Sequence, residues 1–172
     1  IYIKNKLIPI INSIEDLEVL NKKSYRYINV GIHIDSGINR LGIQPKFLKK
    51  NILNNLKIIL LMSHLSSSEE KHNKYNSFQN TVFMETFNFF NDVKYKSIAN
   101  SMAIMLGKKY HYNLVRPGIS LYGGHYNTRL KKIIKPVIKL KAKVLQIKIL
   151  KKNEYVGYNQ TFKTKKITAI AV

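Results

Sequence analysis

The chain has 172 residues, of which 45% are hydrophobic, and its 30 lysines and arginines against 9 aspartates and glutamates give a formal net charge of +21. That length and hydrophobic content are sufficient for an ordinary domain with a buried core. The absence of cysteine excludes a disulfide-stapled secreted module, and the longest apolar run, Ile58 to Met62, is far shorter than the roughly 20 residues of a membrane span.

The first two thirds of the chain alternate between strand and helix patterns. Residues 27–34 are almost continuously apolar, which is typical of a strand buried on both faces of a parallel sheet. Ser13 is a predicted N-cap, with Asp16 three residues later. In chain order we predict a strand at 7–11, a helix from Ser13, a strand at 27–34, a basic helix at 45–56, a strand at 57–62, a polar loop at 66–70 leading to a long amphipathic helix (Val82, Phe83, Phe87, Phe90), a strand at 95–99 with a short helix behind it, and a strand at 113–115.

The pattern changes after Gly124. Apolar and lysine residues alternate over 138–144, which predicts a half-exposed strand. The alternation shifts phase at 144–145 and resumes with Ile147 and Ile149, as a β-bulge within the strand would require. Residues 167–172 predict a further strand. We therefore expect a boundary near 124–135, with residues 1–128 forming an α/β domain and residues 129–172 starting a mainly β domain.

The residues best suited to chemistry follow strand ends. In a closed (β/α) barrel this is the C-terminal rim, where active sites are built. An open doubly wound sheet also places ligands there, but no Gly-x-Gly-x-x-Gly run follows a strand, which disfavours a dinucleotide site.

Two arginines lie beside glycines at such strand ends. Arg40, after Asp35-Ser36-Gly37, could donate to a phenolate or carboxylate, although a surface pair with Asp35 is the simpler interpretation. Arg116 could hold a ring nitrogen unprotonated, or simply close the rim.

A phosphate site is suggested by residues from two neighbouring segments. Ser101 follows Asn100 before a helix, and Gly118 and Ile119 offer backbone N–H groups, although Ser101 could serve only as a helix cap. His64 could stack on a ring, and the histidines show no metal-ligand spacing, so we predict no metal.

Taken together and in order, these runs resemble the alanine racemase family, whose members bind pyridoxal phosphate and combine a barrel domain with a β domain. The resemblance extends from Leu7 to Val172. The segments that carry it are 35–42, 63–64, 99–101, 115–123 and 156–162. It implies the later part of a (β/α)8 TIM-type barrel followed by the start of the C-terminal β domain.

The resemblance also implies roles for individual residues. Arg40 would contact the phenolic oxygen of pyridoxal 5'-phosphate and Arg116 its pyridine nitrogen. His64 would lie against the ring near Asn100. Ser101, Gly118 and Ile119 would hold the phosphate.

Tyr158 would be a catalytic acid/base by the same resemblance. Spacing alone does not single it out among 11 tyrosines, and Tyr122 and Tyr155 are equally suitable candidates. In the family this tyrosine serves the partner subunit's active site, which implies a homodimer with shared sites. The implied reaction interconverts L- and D-alanine, supplying D-alanine for peptidoglycan.

The chain departs from the family pattern in two respects. His33 stands where many members carry a lysine that can be carbamylated, and imidazole cannot be carbamylated in that way. The lysine that forms the family's Schiff base is absent, so we expect this segment alone to be inactive. A racemase acting on serine or on several amino acids, and a decayed non-catalytic homologue, stay open as alternatives.

The charge and the chain ends support two further expectations. The lysines are spread along the chain, and the abundance of Ile, Asn, Tyr and Phe matches AT-rich codons, so codon bias explains the charge as well as a nucleic-acid-binding module does. The chain starts at Ile1 and ends at Val172 inside an apolar run, so we expect a piece of a longer protein. Without a secretory signal or membrane span, cytoplasm is the default prediction.

Overall fold

A computed structural model describes residues 1–20, 28–49, 56–90, 92–125 and 128–172. The chain divides into two compact units, Ile1–Val137 and Ile138–Val172. In the described part of the chain, none of the helices combines the length and the apolar character needed to cross a membrane.

The first unit is built on a parallel sheet of four strands in the order β1-β2-β3-β4. This arrangement confirms the predicted α/β class and the parallel sheet. The strands are β1 (Ile10–Ile11), β2 (Asn29–His33), β3 (Lys57–Met62) and β4 (Tyr95–Ser97), and the α-helices are α1 (Ile14–Leu20), α2 (Lys74–Thr86) and α3 (Thr128–Ile133). Short 3-10 helices cover Pro45–Phe47, Phe87–Phe89, Ala103–Leu106, Lys108–Tyr110 and Ile119–Tyr122.

The core lies along β2 and its neighbours. Four of the five β2 residues are buried, as predicted for a central strand whose two faces are covered. Gly31 lets the neighbouring side chains pack closely, because a Cβ atom there would lie 2.6 Å from Ile10 Cδ1 and 3.3 Å from Leu60 Cβ. The largest buried apolar side chains of this unit are Leu17, Ile32, Ile34, Leu61, Leu65, Phe83 and Ile98.

The helix starts follow the sequence closely. Ser13 Oγ accepts the Asp16 amide at 3.1 Å, which confirms the predicted N-cap of α1. Helix α2 begins after Asn73, whose Oδ1 accepts the Tyr75 amide at 2.9 Å. Its buried face is largely polar and only partly matches the predicted apolar stripe, because it carries Asn76, Gln79, Asn80 and Thr86 beside Phe83.

Several predicted elements are shorter than expected or absent. The predicted strand at 7–11 is reduced to β1. The predicted strand at 113–115 is wrong, since only an isolated bridge joins Asn100 to Arg116. Here the Asn113 side chain replaces backbone pairing: its Oδ1 accepts the Lys96 amide and its Nδ2 donates to the Lys94 carbonyl, both at 2.7 Å.

Two predictions lie partly outside the described residues. Residues 50–55 of the predicted basic helix at 45–56 are among those not described, and its described start is the 3-10 helix Pro45–Phe47. Tyr27, predicted to begin the second strand, is also not described.

The second unit contains two antiparallel pairs. β5 (Ile147–Leu150) pairs with β8 (Thr168–Ala171), and β6 (Tyr155–Val156) pairs with β7 (Phe162–Lys163). The strand predicted at 167–172 is confirmed, since β8 covers all of this range except its first and last residues. The assignment of the two predicted ranges to a partial barrel and a β domain stays a prediction.

The predicted strand is wrong over 138–144, because these residues have no strand structure and no strand pairs with them in the described chain, whereas its continuation at Ile147 and Ile149 is confirmed by β5. Pairing begins at the phase shift. Leu145 N and Gln146 N both donate to the Val172 carbonyl, at 2.7 and 3.2 Å, and two successive amides facing one partner residue is the arrangement of a β-bulge. The predicted bulge position is therefore confirmed, although the strand follows it rather than surrounding it.

Candidate functional site

The carboxyl ends of three parallel strands bring the side chains of His33, Met62 and Ser97 to one face of the sheet. His33 on β2 is in register with Met62 on β3, which is in register with Ser97 on β4. Residues in register on parallel strands project from the same face. Their side chains therefore form a row just below the loops that carry the predicted site residues.

Arg116 ties the ends of β3 and β4 together. Its Nη1 donates to the carbonyl oxygen of Ser97 at 3.0 Å and to the Ser97 hydroxyl, and its Nη2 donates to the Ser63 carbonyl at 2.6 Å. Burial lowers the pKa of Arg116 to about 10, so the guanidinium stays charged at neutral pH. A half-buried cation with a fixed orientation is thus available at this edge.

His64 and Asn100 form a second fixed pair. Asn100 Oδ1 accepts the amides of Met102 and Ala103, at 3.1 and 2.9 Å, which leaves its Nδ2 to donate to His64 Nε2 at 3.3 Å. Burial and then the Arg116 and Arg40 charges lower the pKa of His64 below 6.5. His64 therefore presents a neutral ring whose orientation is set by Asn100.

His33 is held from the neighbouring strand. Its Nδ1 lies 2.9 Å from Asn12 Oδ1, and Asn12 Nδ2 donates to the Ile10 carbonyl at 3.1 Å. The Asn12 oxygen is therefore an acceptor, and the proton of the neutral imidazole is on Nδ1. Burial, followed by the charges of Arg116 and His64, lowers the pKa of His33 to about 4.

The lowered pKa of His33 predicts that the stability of the protein depends on pH. Because the folded pKa of His33 is about 4 and an unfolded histidine titrates near 6.5, the unfolded chain binds more protons between these values, and stability falls as pH falls through that window. Urea unfolding of the complete protein at pH 7 and pH 5 should show lower stability at pH 5. The His33→Gln variant should lose part of this difference, and an unchanged difference would contradict the assignment.

The 35–42 loop is fixed from within and from helix α2. Asp35 Oδ1 accepts the amides of Gly37 and Asn39, at 3.0 and 3.1 Å, and the Tyr75 hydroxyl donates to the Gly37 carbonyl at 2.9 Å. Arg40 is exposed and makes no ion pair with Asp35 in the described part of the chain. The surface-pair interpretation of Arg40 is therefore wrong, because the Asp35 carboxylate instead stabilises the turn.

Gly37 gives a test of this loop anchor. Its φ is +131° and a Cβ atom would lie 2.6 Å from the Tyr75 hydroxyl oxygen, whereas Gly107 has a φ of +118° with open space around it. Both alanine variants carry backbone strain of about 1 kcal/mol or more, and Gly37→Ala should cost about 1 kcal/mol beyond Gly107→Ala. Equal unfolding free energies of the two variants would show that Tyr75 does not constrain the loop.

Ser101 connects the end of β4 to the loop after Arg116. Its Oγ accepts the Gly118 amide at 2.7 Å and the Ser120 amide at 3.3 Å. A Cβ atom on Gly118 would meet nothing within 4 Å, so the space in front of this loop is open. A hydroxyl and backbone amides beside open space can receive an anion.

The predicted site residues are distributed over both units. His64, Asn100, Ser101, Arg116, Gly118 and Ile119 lie in the first unit with Arg40. Side-chain hydrogen bonds pair His64 with Asn100 and Ser101 with Gly118, and a backbone bridge links Asn100 to Arg116. Ile119 begins the 3-10 helix Ile119–Tyr122. Tyr158 lies in the second unit, next to Gly157 (φ +77°), and its side chain is 97% exposed. Their proposed roles toward a ligand stay predictions.

Sequence reasoning missed the residues that hold the site together. Ser97, Ser63 and Asn12 lie at strand ends, so their position was a usable signal. Gln79 gave no signal: it is fully buried in α2, donates to the His64 carbonyl at 3.1 Å, and accepts the Ser66 amide at 2.9 Å. It thereby fixes the backbone on both sides of Leu65.

Comparison with known proteins identifies a matching family and similar proteins. Residues 1–126 match the sequence profile of the family described as alanine racemase, N-terminal domain. The alanine racemase of Rickettsia akari is 35% identical over 177 residues, covering 98% of this chain and 48% of that protein, and that of Clostridium tetani is 34% identical, covering 87% of this chain and 42% of that protein.

Solved structures give the same result. The alanine racemase of Bartonella henselae, determined with covalently bound pyridoxal phosphate, superposes with a TM-score of 0.73 at 31% identity, covering 99% of this chain and 49% of that one. The biosynthetic alanine racemase of Pseudomonas aeruginosa gives a TM-score of 0.77 at 26% identity, covering 94% and 47%. The chain spans about half the length of the curated relatives that it matches.

Proposed function

The chain belongs to the alanine racemase family, and on that premise we propose that the complete protein containing it interconverts L-alanine and D-alanine with pyridoxal 5'-phosphate. The observation that carries this proposal is the backbone bridge between Asn100 and Arg116, which brings Arg116 to the same sheet edge as the Ser101–Gly118 pair. This edge offers both a fixed cation and an anion-binding loop, as a phosphorylated ring compound requires.

The residues present fit the cofactor. The Gly118 amide donates to Ser101 Oγ, so the donors proposed for a phosphate are the Ser101 hydroxyl and the Ile119 amide, and Gly118 contributes by leaving open space for it. Buried His33 adds a further polar group at this edge, because its Nε2 atom is a hydrogen-bond acceptor without a partner in the described part of the chain. We propose these positions as the cofactor site.

The proposed mechanism assigns one task to each residue. When bound, pyridoxal phosphate supplies the electron sink that makes the α-hydrogen of an amino acid acidic. Arg116 would hold the ring nitrogen unprotonated, because its guanidinium is charged at neutral pH and fixed by Ser97 and Ser63. His64, neutral and oriented by Asn100, would pack against the ring.

Proton transfer is assigned to Tyr158. Its phenol transfers a proton at Cα on one face of the substrate, with a group from the part of the protein outside this chain acting on the other face. Inversion needs two such groups, because a single one would return the proton to the face it left. Arg40 would contact the phenolic oxygen of the cofactor.

Membership of the family also leads us to propose a domain assignment, an oligomeric state and a cellular role for the complete protein. The first unit represents the later part of a (β/α)8 barrel and the second the start of the β domain. The complete protein acts in the cytoplasm as a homodimer whose subunits share active sites, and its product supplies peptidoglycan synthesis. The isolated segment is proposed to be inactive.

The experiment is a turnover assay of the complete protein with pyridoxal phosphate. L-alanine, D-alanine, L-serine and L-lysine are supplied separately, and the enantiomers are separated by chiral chromatography. Alanine conversion in both directions, faster than serine conversion, supports the proposal. Equal rates on several amino acids would favour the broad-specificity alternative, and no conversion of any of them would favour a decayed homologue.

A further inference from the structure

Gln79 in helix α2 is a buried amide whose two polar atoms both contact the segment that follows β3. The side chain is fully buried. Its Oε1 accepts the Ser66 amide at 2.9 Å and the Ser66 hydroxyl at 3.1 Å, and its Nε2 donates to the His64 carbonyl at 3.1 Å. A backbone amide can only donate and a backbone carbonyl can only accept, so these partners fix which end of the Gln79 amide carries the oxygen.

These hydrogen bonds hold His64 by its backbone, while Asn100 holds it by its ring. The Asn100 side-chain nitrogen lies 3.3 Å from His64 Nε2, and the next residue, Leu65, is anchored in the core with 2% exposure. The direction of a side chain depends on the φ and ψ of its own backbone. The hydrogen bond from Gln79 to the His64 carbonyl therefore helps to decide where the imidazole lies.

The same face of helix α2 also supports the 35–42 loop. Tyr75 lies four residues before Gln79, and residues at this spacing are neighbours on one helix face. The Tyr75 hydroxyl donates to the Gly37 carbonyl at 2.9 Å. A Cβ atom on Gly37 would lie 2.6 Å from the Tyr75 hydroxyl oxygen and 3.6 Å from Gln79 Cγ, so the loop packs against both side chains. Two adjacent side chains of α2 thus hold the loop and the backbone of His64.

We propose that Gln79 is a positioning residue that sets the His64 ring for its contact with the cofactor. The proposal rests on the proposed function, because it takes His64 as the residue that lies against the cofactor ring. Gln79 acts through the His64 carbonyl and through Ser66. An amide with a structural role alone would contribute to stability, whereas a positioning amide also determines the environment of the imidazole.

The first test compares two buried amides of α2 in the complete protein. Gln79→Met keeps the length of the side chain and removes its hydrogen bonds. Asn80→Leu is the matched control, because Asn80 is 8% exposed and its Oδ1 accepts the Tyr112 hydroxyl at 2.8 Å instead of contacting the segment after β3. The ¹⁵N signals of histidine side chains are recorded with and without pyridoxal phosphate. We expect both variants to unfold at a lower temperature, and only Gln79→Met to shift the His64 signals.

The second test measures the dissociation constant of pyridoxal phosphate by absorbance titration of the same variants. Gln79→Met should weaken binding roughly tenfold, which corresponds to the loss of about one hydrogen bond. Asn80→Leu should stay within about twofold. Shifted His64 signals in Gln79→Met without a change in affinity would overturn the part of the proposal that concerns the cofactor.

Two results of the first test overturn the proposal altogether. These are unchanged His64 signals in Gln79→Met, and equal shifts in Gln79→Met and Asn80→Leu, which would reflect a general loosening of α2. If Gln79→Met does not fold, Gln79→Asn decides by the same signals, because its shorter side chain keeps an amide that is one methylene group short of its partners. Shifted His64 signals in a protein that neither binds pyridoxal phosphate nor converts alanine would overturn the proposed function and leave the positioning of His64 by Gln79 in place.

Discussion

Replacing Arg116 with methionine in the complete protein lowers the free energy of unfolding by about 2–4 kcal/mol. The guanidinium donates to the Ser97 carbonyl and hydroxyl and to the Ser63 carbonyl. Methionine keeps much of the aliphatic volume but leaves these acceptors unpaired at the ends of two strands. The loss is measured by urea unfolding followed by circular dichroism.

The matched control is Arg40→Met, a replacement of the same residue type in an exposed loop. Arg40 makes no hydrogen bond or ion pair within the described residues, so its replacement should change the unfolding free energy by less than about 0.5 kcal/mol. Both variants should lose racemase activity, since both arginines are proposed to contact the cofactor. Equal unfolding free energies for the two variants would contradict the structural role of Arg116.

The second large effect is expected at Tyr158. Tyr158→Phe in the complete protein should lower the racemisation rate by about 10²–10⁴-fold, because the phenol that transfers the α-proton is removed. The fold should be unaffected, since the hydroxyl makes no hydrogen bond within the described part and the side chain is 97% exposed in this chain. Rates are measured from both alanine enantiomers.

Tyr155→Phe is the control for this variant. Tyr155 lies in the same unit and is 53% exposed, and nothing in its sequence setting distinguishes it from Tyr158. Activity close to that of the unmodified protein is expected. Full activity of Tyr158→Phe in both directions would remove Tyr158 from the mechanism, whereas loss of activity in Tyr155→Phe alone would transfer the role to that residue.

The sequence predicted the parallel sheet because each strand is marked locally. An apolar run such as 27–34 has the composition of a strand covered on both faces, and most of its described part is buried in β2. The N-cap at Ser13 was predictable for the same reason, because the capping hydrogen bond depends on residues three positions apart.

Elements that depend on distant partners were not predictable in this way. Residues 138–144 alternate as a strand would, but pairing with β8 starts only at the bulge that follows. At 113–115 the Asn113 side chain takes the hydrogen bonds that a strand backbone would have made. A periodic pattern reports which face each side chain would occupy and does not report whether a partner strand is available.

In the candidate site, too, features marked locally in the sequence were predictable and features that depend on distant contacts were harder to predict. The residues with recognisable chemistry, such as Arg116 and Ser101, could be identified from their place after strands. Among their supports, Ser63 and Ser97 shared the same signal of a place at a strand end, whereas Gln79 had none, because it acts from the middle of α2 through contacts with residues 13 and 15 positions away. The unpartnered nitrogen of His33 became visible only when the direction of the Asn12 amide was known.

The most direct test of the central claim is the fate of the α-hydrogen of L-alanine in D₂O. The complete protein is incubated with pyridoxal phosphate, and early samples are analysed for deuterium at Cα in each enantiomer. The account predicts that D-alanine forms and carries deuterium from its first appearance, because the proton added to the new face comes from a different group than the one that removed it. Deuterium exchange confined to L-alanine, or no exchange at all, would contradict a racemase built on this sheet edge.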